Sequence, residues 1–200
     1  MIKQRFISGV VLALSMLLVI LYTNEIWVAL MLAVLLVIGA WEWLGLTSYD
    51  TPARRIYFAA FIALIFLIGW FNQDLAVARY WLIIAVALWY MVMVLLAFYE
   101  TAHSHSSPRW QPQILMLGLI FLPAAWLSML KLYQLHPGWL FYALALCAIA
   151  DSFAYLSGKT LGKHKLAPRL SPGKTMEGVL GGMLAVLMFA LLSGWILKME

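Results

Sequence analysis

Apolar residues occupy seven long blocks of this chain, about 6–22, 26–46, 56–71, 80–99, 113–131, 138–157 and 179–197, parted by short polar interruptions. A helix needs about 20 predominantly apolar residues to cross the hydrocarbon core of a bilayer. The pattern predicts an all-α, polytopic transmembrane protein with about seven membrane helices. The third block is short for a span, and flanking aromatic residues are expected to complete it. Because the connections are brief, consecutive helices are expected to be antiparallel neighbours. Turn signals stand where the blocks end, at Thr51-Pro52, Ser107-Pro108 and Pro137-Gly138.

Composition sharpens this picture. Hydrophobic residues make up 66% of the 200 positions and charged ones 10%, against about a quarter charged in soluble domains. Residues 1–200 are therefore read as one integral membrane domain whose solvent is lipid or a neighbouring helix. The N-terminal Met-Ile-Lys-Gln-Arg followed by an apolar run imitates a signal peptide. That run is too long for one, and no small-residue cleavage site follows, so an uncleaved first helix is expected. Cys147 lies in an apolar block and is expected to be a packing residue.

The formal net charge is +5, and its placement along the chain gives it meaning. With the N-terminus in the cytoplasm, Lys3, Arg5, Arg54, Arg55, Arg109, Lys159, Lys163, Lys165, Arg169 and Lys174 fall inside. Only Arg79, Lys131 and Lys198 fall outside, and the positive-inside rule selects that orientation. A basic excess explained this way calls for no nucleic-acid partner. Trp27, Trp41, Trp43, Trp70, Trp81, Trp110 and Trp139 lie near block ends, as an interfacial aromatic belt requires.

Chemistry concentrates in residues 151–178. Asp151 sits about two turns inside the sixth block from its cytoplasmic end. An ionised aspartate at a helix centre costs about 2.5–3.5 kcal/mol on insertion scales. It is expected to face protein or water, either binding a cation or orienting a phosphate, or else accepting a packing hydrogen bond. Ala150, Ala154 and Gly158 form a stripe of small residues beside it, which permits close approach of another helix. Gly178 and Gly182 form a G-x-x-x-G at the start of the seventh block, with the same expected use. Between the blocks, residues 158–177 read as a cationic cytoplasmic loop carrying five Lys and Arg side chains and Ser171-Pro-Gly-Lys-Thr175. Hydroxyls, an ammonium group and glycines at 158, 162 and 173 suit phosphate oxygens and close backbone approach. The same cations could serve only to fix topology and attract anionic lipid.

Other motifs carry less. Gly173-Lys-Thr175 is not a P-loop, because position 168 is Pro168 and an apolar helix precedes the loop. Glu177 is expected to cap the last helix or to join a metal site, and Glu42 to pair with a loop cation. His103 and His105 read as solvated loop residues, and His164 as a phosphate donor or surface residue.

Asp151-Ser-Phe-Ala-Tyr155, Gly158, Gly162-Lys-His-Lys-Leu-Ala-Pro168 and Leu170-Ser-Pro-Gly-Lys-Thr-Met-Glu-Gly178 closely resemble the bacterial phosphatidate cytidylyltransferases, or CDP-diglyceride synthetases. Lys3-x-Arg5-x-x-Ser8-Gly9 and Ala40-Trp-Glu-Trp43 are similar to the same family. The resemblance runs from the N-terminus to about Gly182. It implies a multi-pass enzyme of the bacterial inner membrane that joins CTP and phosphatidate to give CDP-diacylglycerol and pyrophosphate with Mg²⁺. A lipid phosphate oxygen attacks the α-phosphorus of CTP, so cationic groups must neutralise and align two anions. On this reading Asp151 and Lys174 are the expected catalytic residues. Lys159, Lys163, Ser171, Thr175 and Glu177 are the expected substrate-binding ones. CTP, phosphatidate and the bilayer are the expected partners, with a second copy of the chain as a further one.

The family's expected metal-ligating aspartates belong to a C-terminal signature that nothing after Gly182 matches. The chain is therefore expected to correspond to the N-terminal two thirds of the family, either a partial member or one that has lost activity, with Asp151 the remaining metal-ligand candidate. Two other functions fit a membrane core with a cationic loop: a CTP-dependent lipid-alcohol kinase, and a transporter or structural subunit. The repeats expected of a transporter are not visible.

Overall fold

The computed structural model describes residues 2–47, 49, 51–72, 75–101, 111–168 and 170–197. Side chains are described for these except at 2–10, 12, 75–76, 99–101, 111 and 195–197. The side chains of Lys3, Arg5 and Ser8, the segment with His103, His105, Pro108, Arg109 and Trp110, and also Arg169 and Lys198, lie outside the described residues.

Among the described residues, seven helices and one hairpin follow in order: α1 (Ile2–Tyr22), α2 (Glu25–Leu44), α3 (Pro52–Phe71), α4 (Leu75–Thr101), α5 (Gln111–Leu135), α6 (Pro137–Leu161), β1 (Lys165–Ala167), β2 (Ser171–Thr175) and α7 (Met176–Leu197). Among the described residues, α2 to α7 each hold a stretch long and apolar enough to span a bilayer. Within α1 the described apolar stretch is Ala13–Tyr22. The chain is a multi-pass membrane protein.

Several helices extend a turn or so beyond their apolar blocks, and at two places the difference has a physical reason. The third block, expected from 56, becomes helical at Pro52. Thr51 Oγ1 accepts the Arg54 N–H at 3.4 Å, and proline suits the first helical position because its missing N–H is an orphan there anyway. Arg54 and Arg55 thus ride on the first turn of a 20-residue helix. The expected 158–177 loop is instead one more turn of α6, an antiparallel hairpin and the first turn of α7. The hairpin pairs Lys165 with Thr175 and Ala167 with Ser171, with an irregularity between.

The chain divides into two compact units, residues 1–94 with 103–140, and residues 95–102 with 141–200. In the first, Ile20, Val28, Leu32, Ile62, Leu130 and Leu140 are fully buried. Trp126, 3% exposed, stacks on Phe66 at 5.3 Å between centroids and donates its indole N–H to Ala29 O at 3.1 Å. Trp43 donates likewise to Ile114 O at 2.8 Å and Trp81 to Ile120 O at 3.2 Å. Trp43 and Trp81, expected in an aromatic belt, thus join helices through their N–H groups. Gly118 makes room for this: a Cβ there would stand 2.5 Å from the Trp43 ring nitrogen. Tyr133 OH donates to Thr23 O at 2.8 Å, closing the far end of the same bundle.

In the second unit α6 and α7 lie backbone against backbone. A Cβ on Gly178 would be 2.9 Å from Ala154 O, and one on Gly182 would be 2.9 Å from Ala150 O. The stripe on α6 and the G-x-x-x-G on α7 are therefore the two halves of one seam, where small residues allow close packing in a medium that supplies no hydrophobic drive. Further along, Tyr142 stacks on Phe189 at 5.6 Å, and Ser193 Oγ lies 3.4 Å from Tyr142 OH.

Candidate functional site

The hairpin and the helix ends that flank it carry most of the residues singled out in the sequence. Its fold begins with Glu177, in the first turn of α7. Its carboxylate accepts the Lys163 N–H at 3.1 Å and the His164 N–H at 3.2 Å and 3.3 Å. It also meets His164 Nδ1 at 2.6 Å. Met176 N–H donates to His164 O at 2.9 Å. One side chain thus fastens the chain leaving α6 to the chain entering α7, and both backbone amides of the bend find an acceptor. A negative group in the first turn also complements the positive end of the helix dipole.

Thr175 completes this base. It is buried, and its Oγ1 accepts the Gly178 N–H at 3.1 Å, the usual role of a helix N-cap hydroxyl. Gly158 and Gly162 were expected to admit a ligand, yet their open sides meet Thr175: an added Cβ would stand 3.0 Å and 2.9 Å from its Oγ1, respectively. At Gly173 a Cβ would meet nothing within 4 Å. Lys165 Nζ donates to Pro172 O at 2.7 Å and holds β2 against β1. Ser171, half-buried, opens β2.

The cations left facing outward are Lys159, Lys163 and Lys174, all exposed. Lys159 Nζ lies 5.7 Å from the centre of the Tyr155 ring, a cation–π separation. Asp151, Tyr155 and Lys159 follow at intervals of four on α6 and share one face. All three are exposed, so Asp151 is not consumed as a packing acceptor inside its unit. Glu42 is exposed at the end of α2.

The arrangement separates support from surface. Glu177, Thr175 and Lys165 hold the hairpin, whereas Lys159, Lys163 and Lys174 present ammonium groups and Asp151 a carboxylate. Exposed ammonium groups of this kind can receive phosphate oxygens as point charges. It does not by itself form a metal cage. Among the described residues no three His, Cys, Asp or Glu side chains come together, and the Glu177 oxygens already accept N–H groups. The donors present do not fit a resident metal ion held by the protein alone.

Sequence reasoning missed the pairing of His164 with Glu177. The only available signal was their spacing across a segment read as a loop. It also missed Ser157, whose hydroxyl donates to Phe153 O at 2.5 Å and fills the seam where a Cβ on Gly181 would clash with it.

The chain is 36% identical over 185 residues to a phosphatidate cytidylyltransferase of Pseudomonas aeruginosa, covering 92% of this chain and 67% of that protein. It is 31% identical over 210 aligned positions to one of Haemophilus influenzae, covering 95% and 72%. With one of Bacillus subtilis it shares 39% over 82 residues, covering 37% and 30%. No solved structure matches it. The sequence profile of the cytidylyltransferase family spans residues 3–200, and the chain belongs to that family.

Proposed function

We propose that the chain serves as a phosphatidate cytidylyltransferase, forming CDP-diacylglycerol and pyrophosphate from CTP and phosphatidate. Together with the family membership, one observation carries this reading. A hairpin fastened by its own carboxylate and threonine leaves Lys159, Lys163 and Lys174 exposed, and α6, which leads into it, carries an exposed Asp151 two turns before Lys159.

The chemistry asks for such a surface. A phosphate oxygen of phosphatidate forms a bond to the α-phosphorus of CTP while the α–β bridging P–O bond breaks, and pyrophosphate leaves with that electron pair. Both reactants are polyanions, so the reaction needs positive groups preorganised where charge gathers. Lys174 is the catalytic candidate here, exposed on a strand pinned at both ends. Lys159 and Lys163 bind phosphate oxygens, and Ser171 offers a hydroxyl at the start of the same strand. Thr175 and Glu177 keep these groups in place rather than meeting substrate through their own oxygens. Asp151 faces outward on α6 and orients the nucleotide. Mg²⁺ is proposed as part of the nucleotide substrate, since magnesium is commonly held by one or two carboxylates and substrate phosphates.

The ten-to-three partition of Lys and Arg supports a cytoplasmic N-terminus. In that orientation the hairpin would lie on the cytoplasmic side of a bacterial inner membrane, where CTP is available, as the proposed reaction requires.

The direct test supplies membranes containing the protein with CTP labelled at the α-phosphate, and with phosphatidate. Label in a lipid that migrates as CDP-diacylglycerol is the expected result. Label from the γ-phosphate on an isoprenoid alcohol would assign a lipid kinase instead, and no lipid label from either position would overturn the transferase reading.

A further inference from the structure

The first unit holds a feature that phosphoryl chemistry does not use. An open groove of about 590 Å³ is bounded by the end of α2, the first half of α3 and the start of α5, well within the size range of lipid and ligand pockets. Phe58, Phe61, Met116 and Leu119 wall its length. Tyr49, Tyr57 and Arg54 stand at one end of it. Arg54 is the only charged residue of the lining, and no acidic residue lines the groove among the described residues.

We propose that this groove binds an anionic phospholipid of the surrounding leaflet, with an acyl chain along the apolar wall and the phosphate on Arg54. Three observations point to that occupant.

The charge is placed where a headgroup would be. Arg54 lies in the first turn of α3, at the very start of a span running Pro52–Phe71, the level at which long cationic side chains reach interfacial phosphate. Its guanidinium stands 6.0 Å from the centre of the Tyr49 ring, which orients it while leaving its N–H fork free for phosphate oxygens.

The apolar part lies directly below that charge. From Arg54 to Phe61 the helix rises about 10 Å, a large part of one leaflet's hydrocarbon depth of about 15 Å. Tyr49 and Tyr57 are exposed and carry hydroxyls at the wet end of an otherwise apolar wall, as amphipathic rings do at a bilayer interface.

The composition of the lining excludes a polar ligand. A nucleotide would leave its base and ribose polar groups without partners against phenylalanine, leucine and methionine. A cation needed only for topology would not require an apolar channel beneath it. The proposal is independent of the transfer reaction, because it concerns binding of lipid with no nucleotide present.

The test reconstitutes the purified protein in nanodiscs of equal phosphatidylglycerol and phosphatidylcholine and counts retained lipids by native mass spectrometry. The protein is expected to retain the anionic lipid about fivefold over the zwitterionic one, the scale of one basic residue near an anionic surface. Arg54→Gln should abolish that preference. Met116→Trp, at an exposed position of the wall, should lower retention of both lipids, and circular dichroism should show both variants as helical as the parent. Equal retention of the two lipids by the parent, or a preference unchanged in Arg54→Gln, would overturn the assignment. So would a dimer that becomes monomeric in Met116→Trp with lipid retention unaltered, which would give the groove to a second copy of the chain.

Discussion

The two units of this protein bury different things. In the first, apolar side chains fill the interior, among them Leu32, Ile62, Phe66, Trp126 and Leu130. In the second, the buried described residues are Thr175, Gly178, Gly182 and Ser193. One unit is a packed bundle crosslinked by indole N–H groups. The other is a glycine seam that ends in a hydrogen-bonded hairpin. The difference teaches where each unit is vulnerable. Bulk holds the first and the absence of bulk holds the second, so substitutions that damage one should barely affect the other.

The sharpest way to break the comparison is Trp126→Ala. It removes the ring stacked on Phe66 and the N–H given to Ala29, and leaves a cavity where the residue was 3% exposed. Such truncations cost about 3–5 kcal/mol. Unfolding by a denaturing detergent, followed by tryptophan fluorescence, should show that loss for the first unit. Cysteine labelling at Ser157 should show the α6–α7 seam unchanged. Exposure of Ser157 in this variant would mean that the two units do not stand independently.

Lys174→Ala sharpens the comparison from the functional side. The ammonium group is exposed and supports nothing in the hairpin that Lys165 and Glu177 do not already hold. Removing one group that stabilises transition-state charge lowers turnover by about 10²–10³-fold. Liponucleotide formation from labelled CTP should fall on that scale while the unfolding midpoint stays where it was. Unchanged turnover would take Lys174 out of the mechanism.

Gly178→Val tests the seam in the opposite sense, by adding atoms. A Cβ at this position would press on Ala154 O at 2.9 Å and on Gly158 Cα at 3.3 Å, both backbone atoms that cannot swing aside. Overpacking costs about 1–3 kcal/mol, here by parting α6 from α7. Protease cleavage within residues 162–174 should become faster, because the hairpin is anchored through Thr175 and Glu177 to the turn that moves. Val at Gly173, where a Cβ meets nothing within 4 Å, is the control and should leave cleavage unchanged.

These cases also show how much of the molecule is legible in the chain alone. The spans were legible because a bilayer imposes one length on every helix. The two small-residue stripes were legible because Ala150, Ala154, Gly158, Gly178 and Gly182 keep a spacing of four. Neither stripe named its partner, and the seam between them appears only in three dimensions. The hairpin was hidden for a different reason. Ser171-Pro-Gly-Lys-Thr175 contains proline and glycine, which are depleted in strands. It pairs with only three residues, too few for an alternating pattern to register. Glu177 looked like a ligand because a carboxylate beside lysines commonly is one. Its acceptors are used by two backbone amides and an imidazole, groups that no composition or spacing reveals.

Trp43→Phe has the smallest expected effect and makes the finest distinction. An aromatic belt residue would be replaced by phenylalanine with little consequence beyond interfacial preference. Trp43 does more than sit in a belt, because its N–H donates to Ile114 O at 2.8 Å, over a position kept bare by Gly118. Losing one interhelical hydrogen bond in a membrane protein costs about 0.6 kcal/mol on average. Phenylalanine keeps most of the ring packing, so the cost should stay near that value. Trp41→Phe, two residues away and exposed, should cost less. If the two variants unfold at the same detergent concentration, the Trp43 indole bond contributes nothing to holding the first unit together. A measurable gap would show that part of its stability is directional, carried by N–H groups aimed at carbonyl oxygens of neighbouring helices.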